Sequence, residues 1–159
     1  MKTLVAGVGN IFLGDDGFGV EVARRLAGDA AREGVRIADY GIRGLHLAYE
    51  LMDGYDALIL VDAVSRGGDA GTVYVIEPEV DRADAAPMDA HGMNPEAVLT
   101  ALASLGGTLD RVVVVGCEAA DVSEGIGLSP PVASAVDGAA SIVRDLLDDF
   151  QRETTRKAG

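Results

Sequence analysis

Cysteine is almost missing from this chain. Cys117 is the only one, which excludes an intramolecular disulfide and a multi-cysteine zinc site and suits a reducing compartment. Tryptophan is absent and aromatic residues make up 4%, so the core has to be assembled from Val, Leu, Ile and Ala, the composition of parallel strands packed under helices. Basic residues are scarce as well. The chain sets 13 Lys and Arg against 26 Asp and Glu, for a formal charge of −13. Without a basic stripe to release counterions, binding to a nucleic acid backbone is not expected. The same charge repels anionic substrates and favours cations or basic peptide segments, although an acidic surface serves solubility equally well. No apolar run approaches the roughly 20 residues that a membrane helix needs, and the N-terminus leads straight into a strand-like segment. A cytoplasmic monomer that binds neither nucleic acid nor membrane is the expectation.

With 159 residues, 48% of them hydrophobic, the chain is long enough for one domain that buries roughly 70% of the surface of its unfolded form. We expect a single α/β domain over residues 1–150 and a frayed polar tail over 151–159. Residues 3–8 read as a buried strand, 9–17 as a glycine-rich loop and 18–31 as a helix. Residues 35–39, 45–52 and 57–61 read as strand, helix and strand, the last ending at Asp62. Residues 71–76 have strand composition but follow too soon for a parallel crossover, so they are expected to run antiparallel at an edge. Residues 77–92 carry Pro78, Pro87 and several acids without a period and read as a long loop, with His91 near its end. Asn94 and Pro95 have the pattern of a cap and first turn, with the helix ending near Gly106 and Gly107. Residues 111–115 read as a strand. Ser129 and Pro130 repeat the helix-start pattern before a strongly helical apolar spacing that runs from Val132 to Phe150. The predicted architecture is a three-layer sandwich: a mostly parallel, twisted five-stranded sheet with one antiparallel edge strand and helices on both faces.

In such a sheet, ligands bind beyond the carboxyl ends of the strands, and the sequence loads that rim with acid. Asp15 and Asp16 follow the first strand, Asp39 ends the second and Asp62 ends the third. Carboxylates gathered this way repel one another unless a cation or shared protons relieve them. Asp16 and Asp62 offer two oxygen ligands and His91 an imidazole, a set suited to a borderline divalent ion with positions left for water or substrate. Each residue also has a plainer explanation: a helix cap for Asp15 or Asp16, a turn for Asp62, an exposed loop for His91. Gly7, Gly9 and Asn10 invite a dinucleotide-binding reading with Asp39 on the ribose. However, Phe12 stands where a third glycine belongs, and Asp15 and Asp16 put negative charge where a pyrophosphate would sit. Cys117 at a strand end is a conceivable nucleophile and more simply a small buried apolar residue. His46 and the acids Asp145, Asp148 and Asp149 read as solvated helix surface.

The stretch Gly7-Val8-Gly9-Asn10-Ile11-Phe12-Leu13-Gly14-Asp15-Asp16-Gly17-Phe18-Gly19 resembles the N-terminal signature of the hydrogenase maturation proteases. Further matches follow in order: Asp39-Tyr40-Gly41-Ile42-Arg43-Gly44, Leu60-Val61-Asp62-Ala63, His91-Gly92, and Gly116-Cys117 through Gly127-Leu128-Ser129. They span nearly the whole chain. The resemblance implies an aspartic-type endopeptidase that trims the C-terminus of the nickel-iron hydrogenase large subunit, with the precursor as its partner. It implies that Asp16, Asp62 and His91 bind the metal, a nickel ion supplied by the precursor and used as a recognition element, and that Asp39 takes part in cleavage. Two positions depart from the family pattern. Asp16 stands where Glu is common, which shortens the reach of that ligand. Asp39-Tyr40-Gly41 replaces an Asp-Gly-Gly type segment, which alters the backbone beside Asp39. The chain lacks His-Glu-x-x-His and has no signal for a Ser or Cys nucleophile. A nickel carrier or regulator without peptidase activity shares the same ligands, and a nucleotide-binding domain is a weaker alternative.

Overall fold

Three segments are apolar on both sides at once, and they form the middle of the sheet. The computed structural model describes residues 1–78 and 95–158. Strand β1 (Thr3–Val8) is buried along its whole length, as is most of β3 (Ala57–Val64) and β5 (Arg111–Glu118). Continuous apolar runs of this kind are what a strand covered on both faces requires. With β2 (Val35–Gly41) and β4 (Val73–Ile76) they form one sheet in the order β2-β1-β3-β5-β4. The first four strands are mutually parallel, and β4 runs antiparallel to β5 at the edge. The expected antiparallel edge is thus present, but β5 is inserted between β3 and β4.

Alternate residues of each strand face opposite layers. Val5, Ile59, Val61, Val113 and Val115 pack under Phe18, Val22 and Leu26 of α1 (Phe18–Leu26) and under Val143, Leu147 and Phe150 of α5 (Val136–Ala158). Leu4, Ala6, Val8, Leu58, Leu60, Val112 and Val114 pack under Leu47 and Leu51 of α2 (Gly44–Leu51) and under Val98 and Leu102 of α3 (Pro95–Ser104). Removing a fully buried Leu, Ile or Phe from either layer costs roughly 2–5 kcal/mol. The three-layer sandwich is therefore as expected.

Several boundaries differ from the sequence reading. Helix α1 stops at Leu26, because Gly28 and Asp29 turn back onto the carbonyls of Arg25 and Leu26. Strands β3 and β5 both run three residues further and keep each other paired through Asp62↔Gly116, Ala63↔Cys117 and Val64↔Glu118, so Asp62 lies inside a strand. The helix expected from Pro130 is two pieces, α4 (Pro130–Ala133) and α5, separated where the Ala135 N–H bonds the Val132 carbonyl. The tail expected to fray from Gln151 instead continues α5 to Ala158. It is held there by Arg111, whose guanidinium bonds Glu153 at 2.6 Å and lies 4.5 Å over the Phe150 ring. The loop expected at 77–92, His91 and the Asn94 cap fall, apart from Glu77 and Pro78, outside the described residues. Among the described residues no helix is long and apolar enough to cross a membrane.

Candidate functional site

The strand order fixes where a site can form. The chain leaves β1 to build β2 on one side and returns to place β3 on the other, so the two connections diverge between the carboxyl ends of β1 and β3. That divergence opens a crevice in doubly wound sheets. The segment that follows β1 is a single 3₁₀ turn, Gly14–Gly17, and it packs against β3. It carries Asp15 and Asp16.

Asp16 is half-buried and its Oδ2 accepts the backbone N–H of Asn10 at 2.7 Å, which orients the carboxylate. Two glycines bring it this close to the sheet. Gly9 has φ +128°, and a Cβ there would lie 1.8 Å from the Asp16 carbonyl oxygen; a Cβ on Gly19 would lie 2.1 Å from the Val61 carbonyl oxygen and 2.5 Å from that of Val8. Only glycine permits either approach. Because Gly7 pairs with Val61, Asp62 stands one residue past the last rung that joins β1 to β3, and it is buried. Asp16, from the turn after β1, and Asp62, from β3, therefore both lie toward the β1/β3 switch point.

Asp39 pairs with Gly7 from the other side, in β2, and is half-buried; its carbonyl accepts the Arg43 guanidinium at 3.1 Å. Carboxylates from β2, the β1 loop and β3 thus follow one another along three neighbouring strands. His91 lies outside the described residues. Among the described residues no group of three His, Cys, Asp or Glu is placed to hold a metal ion. Asp16, on the turn after β1, and Asp62, in β3, are the two described members of the expected ligand set.

The loop does not have the form of a phosphate cradle. Its amides are consumed internally: Gly9 donates to Gly41, Leu13 to Asn10, Gly14 to Gly125, Asp15 to Asp121 and Asp16 to Leu13, while Asn10 donates to the Asp16 carboxylate and Phe12 to the Asn10 side chain. A dinucleotide needs such N–H groups directed at its pyrophosphate.

Two buried acids have structural duties that the sequence reading did not assign. Asp15 is fully buried. Its Oδ2 accepts the N–H groups of Ala120 (2.8 Å) and Asp121 (2.9 Å) and the Ser129 hydroxyl (2.8 Å), and its Oδ1 accepts the Ser129 N–H (2.7 Å). Burial works against ionisation, but the hydrogen bonds from Ser129, Asp121 and Ala120 outweigh it and hold the carboxyl below the usual aspartate range. Ser129 does not cap α4 with its side chain, because that hydroxyl is turned to Asp15. At the end of β5, Glu118 accepts the Arg66 N–H at 3.0 Å on each oxygen, the Gly68 N–H at 2.9 Å and the Tyr74 hydroxyl at 3.0 Å. The available signal for Asp15 was the pairing of two matched motifs, Gly14-Asp15-Asp16-Gly17 and Gly127-Leu128-Ser129; an isolated Glu118 offered none.

Cys117 is buried and unpaired in β5. Burial, reinforced by the charges of Asp15 and Glu118, pushes its thiol up to about 11, the opposite of an activated nucleophile. His46 is exposed on α2, as expected.

Comparison with known proteins bears on the fold and the family. The family model described as hydrogenase maturation protease, HycI, matches residues 20–146. The chain is similar to the hydrogenase expression/formation protein HupD of Rhodobacter capsulatus, 33% identical over 150 residues that cover 91% of this chain and 71% of that protein. Among solved structures it is similar to the hydrogenase maturating endopeptidase HybD from E. coli, with a TM-score of 0.81, 29% identity and 94% of each chain covered. It also matches the hydrogenase 2 maturation peptidase from Thaumarchaeota archaeon SCGC_AB-539-E09, with a TM-score of 0.74, 31% identity, and 93% of this chain and 99% of that one covered.

Proposed function

The chain belongs to the hydrogenase maturation protease family, and on that premise we propose that it removes the C-terminal extension of a nickel-iron hydrogenase large-subunit precursor after nickel has been inserted. What supports this reading is the placement of Asp16, on the turn after β1, and Asp62, in the neighbouring strand β3, toward the β1/β3 switch point, where a substrate-borne ion would meet both carboxylates. In this reading Asp16, Asp62 and His91 bind the nickel that the precursor presents, so that only a metal-loaded substrate is seated.

The chain is a peptidase, and hydrolysis of a peptide requires a water made nucleophilic by loss of a proton and a carbonyl held in line with it. Asp39, one strand away from Asp16, is the carboxylate we assign to accept that proton. The Arg43 guanidinium, bonded to the carbonyls of Asp39 and Tyr40, fixes the backbone from which Asp39 projects. The lone buried Cys117 fits action in a reducing compartment such as the cytoplasm.

The test is processing of nickel-loaded precursor by Asp16→Ala, Asp62→Ala and His91→Ala. Changes behind a metal ligand already cost roughly 10–100-fold, so loss of a ligand should lower kcat/KM by at least about a hundredfold, with the unfolding midpoint little changed. Normal rates for all three variants would end the proposal. Nickel binding by the wild type without cleavage of the precursor would identify a carrier instead.

A further inference from the structure

Among the described residues, most of the large apolar side chains left in water lie in segments that follow the carboxyl ends of β1, β2 and β5, the exceptions being Tyr49 on α2, Met52 just after it and Val75 on β4. Phe12 is 60% exposed, Ile42 63%, Leu45 57%, Val122 47% and Ile126 79%. They lie in three separate segments that hydrogen bonds tie side by side. The Gly9 N–H bonds the Gly41 carbonyl at 2.9 Å, joining the Phe12 segment to that of Ile42 and Leu45; the Gly125 N–H bonds the Phe12 carbonyl at 2.8 Å and the Gly14 N–H bonds the Gly125 carbonyl at 2.9 Å, joining it to that of Val122 and Ile126. The band therefore runs along the carboxyl rim of the sheet, with Asp16 in its central segment. Isolated exposed apolar residues need no explanation, but several on hydrogen-bonded neighbouring segments beside a crevice do.

We propose that this band is the docking surface for the precursor, and that the segment it receives carries large apolar side chains interspersed with lysine or arginine. This rests on the function proposed above. The apolar part of the inference follows from Phe12, Ile42, Leu45 and Ile126, which would exchange water for substrate contacts. The basic part follows from charge: the same three segments carry Asp16, Asp39, Asp121 and Glu124 against one guanidinium, Arg43, which is already turned onto two backbone carbonyls. An anionic segment would be repelled from such a rim. Continuity with the crevice selects a substrate peptide as the occupant, since any chain cleaved beside Asp16 must cross the band.

The test is the kinetics of precursor processing by Phe12→Ser/Ile126→Ser and Ile42→Ser/Leu45→Ser, with Val75→Ser as a control. Val75 is 51% exposed but lies on the antiparallel edge strand β4, outside the three segments. Loss of two contact residues should raise KM by about tenfold, with kcat within about twofold and the urea midpoint unchanged; Val75→Ser should do neither. Raising NaCl from about 0.05 to 0.5 M should raise the wild-type KM further, as screened ion pairs weaken. Wild-type KM in both double variants, while the wild-type enzyme processes its precursor, would overturn the docking surface and leave the proposed function standing. Failure of the wild type itself would remove both. Sedimentation showing that the wild type self-associates through the band and the double variants do not, with KM unchanged, would make a second copy the occupant and also overturn the proposal.

Discussion

Asp15 and Ser129, 114 residues apart in sequence, meet through two hydrogen bonds, the Ser129 N–H to Oδ1 and the Ser129 hydroxyl to Oδ2. The contact closes residues 119–129 over the first loop of the chain, and the isolated bridge between Leu13 and Gly125 extends it. A buried carboxylate thus holds together the loops from β1 and β5 that flank Asp16. The two adjacent aspartates divide the work: Asp15 faces inward and secures the scaffold, while Asp16 remains at the rim.

Asp15→Ala leaves the N–H groups of Ala120, Asp121 and Ser129 and the Ser129 hydroxyl without their acceptor. Charge-assisted hydrogen bonds contribute roughly 1.5–3 kcal/mol each, with partial compensation by entering water. We expect a total loss of about 3–5 kcal/mol by urea unfolding, and lower processing because Asp16 is attached to the loosened turn. A loss below about 1 kcal/mol would show that the loop closes without the carboxylate.

Glu118 predicts an effect of pH. The Gly68 N–H is the main cause holding its carboxyl below the ordinary glutamate value of 4.5, burial opposes it, and the Arg66 N–H and Tyr74 hydroxyl add to the lowering. A depressed folded-state value means that the contribution to stability is complete above the unfolded value and lost as pH falls through the folded one. The window therefore lies below about pH 4.5. Glu118→Gln should lower the urea midpoint near neutral pH and show a shallower fall than wild type between about pH 5 and 3. Parallel acid limbs in the two proteins would contradict this.

How much the sequence reveals depends on whether a feature is local. The apolar runs Leu4-Val5-Ala6 and Leu58-Ile59-Leu60-Val61 mark central strands because burial on both faces leaves no place for polar residues, and that is a property of the strand itself. The antiparallel edge was legible from the shortness of the connection before β4. The extent of α5 was not, because Gln151 to Ala158 is polar and is kept helical by Arg111, a residue 42 positions from Glu153. The division of labour between Asp15 and Asp16 was equally hidden: identical side chains at adjacent positions differ only in what β5's loop brings to one of them. Asp62 was expected at a strand end and lies within the ladder, since the pairing of β3 with β5 sets where both strands stop.

The one thiol in the chain permits a decisive experiment on mechanism. Cys117 is fully buried and its thiol is pushed up to about 11, so near neutral pH it is held in the protonated form. Cysteine catalysis needs the reverse, a lowered pKa with a base in reach. In the core the side chain acts as a small apolar group beside Val113 and Val115, so Cys117→Ala should cost about 1 kcal/mol of stability and leave the processing rate within about twofold of wild type. Alkylation of the native protein by iodoacetamide should be slow and leave activity unchanged, becoming fast only in denaturant. Loss of processing in Cys117→Ala with an unfolding midpoint close to wild type would reverse the assignment, making the thiol the nucleophile and displacing Asp39 from the proton-accepting role.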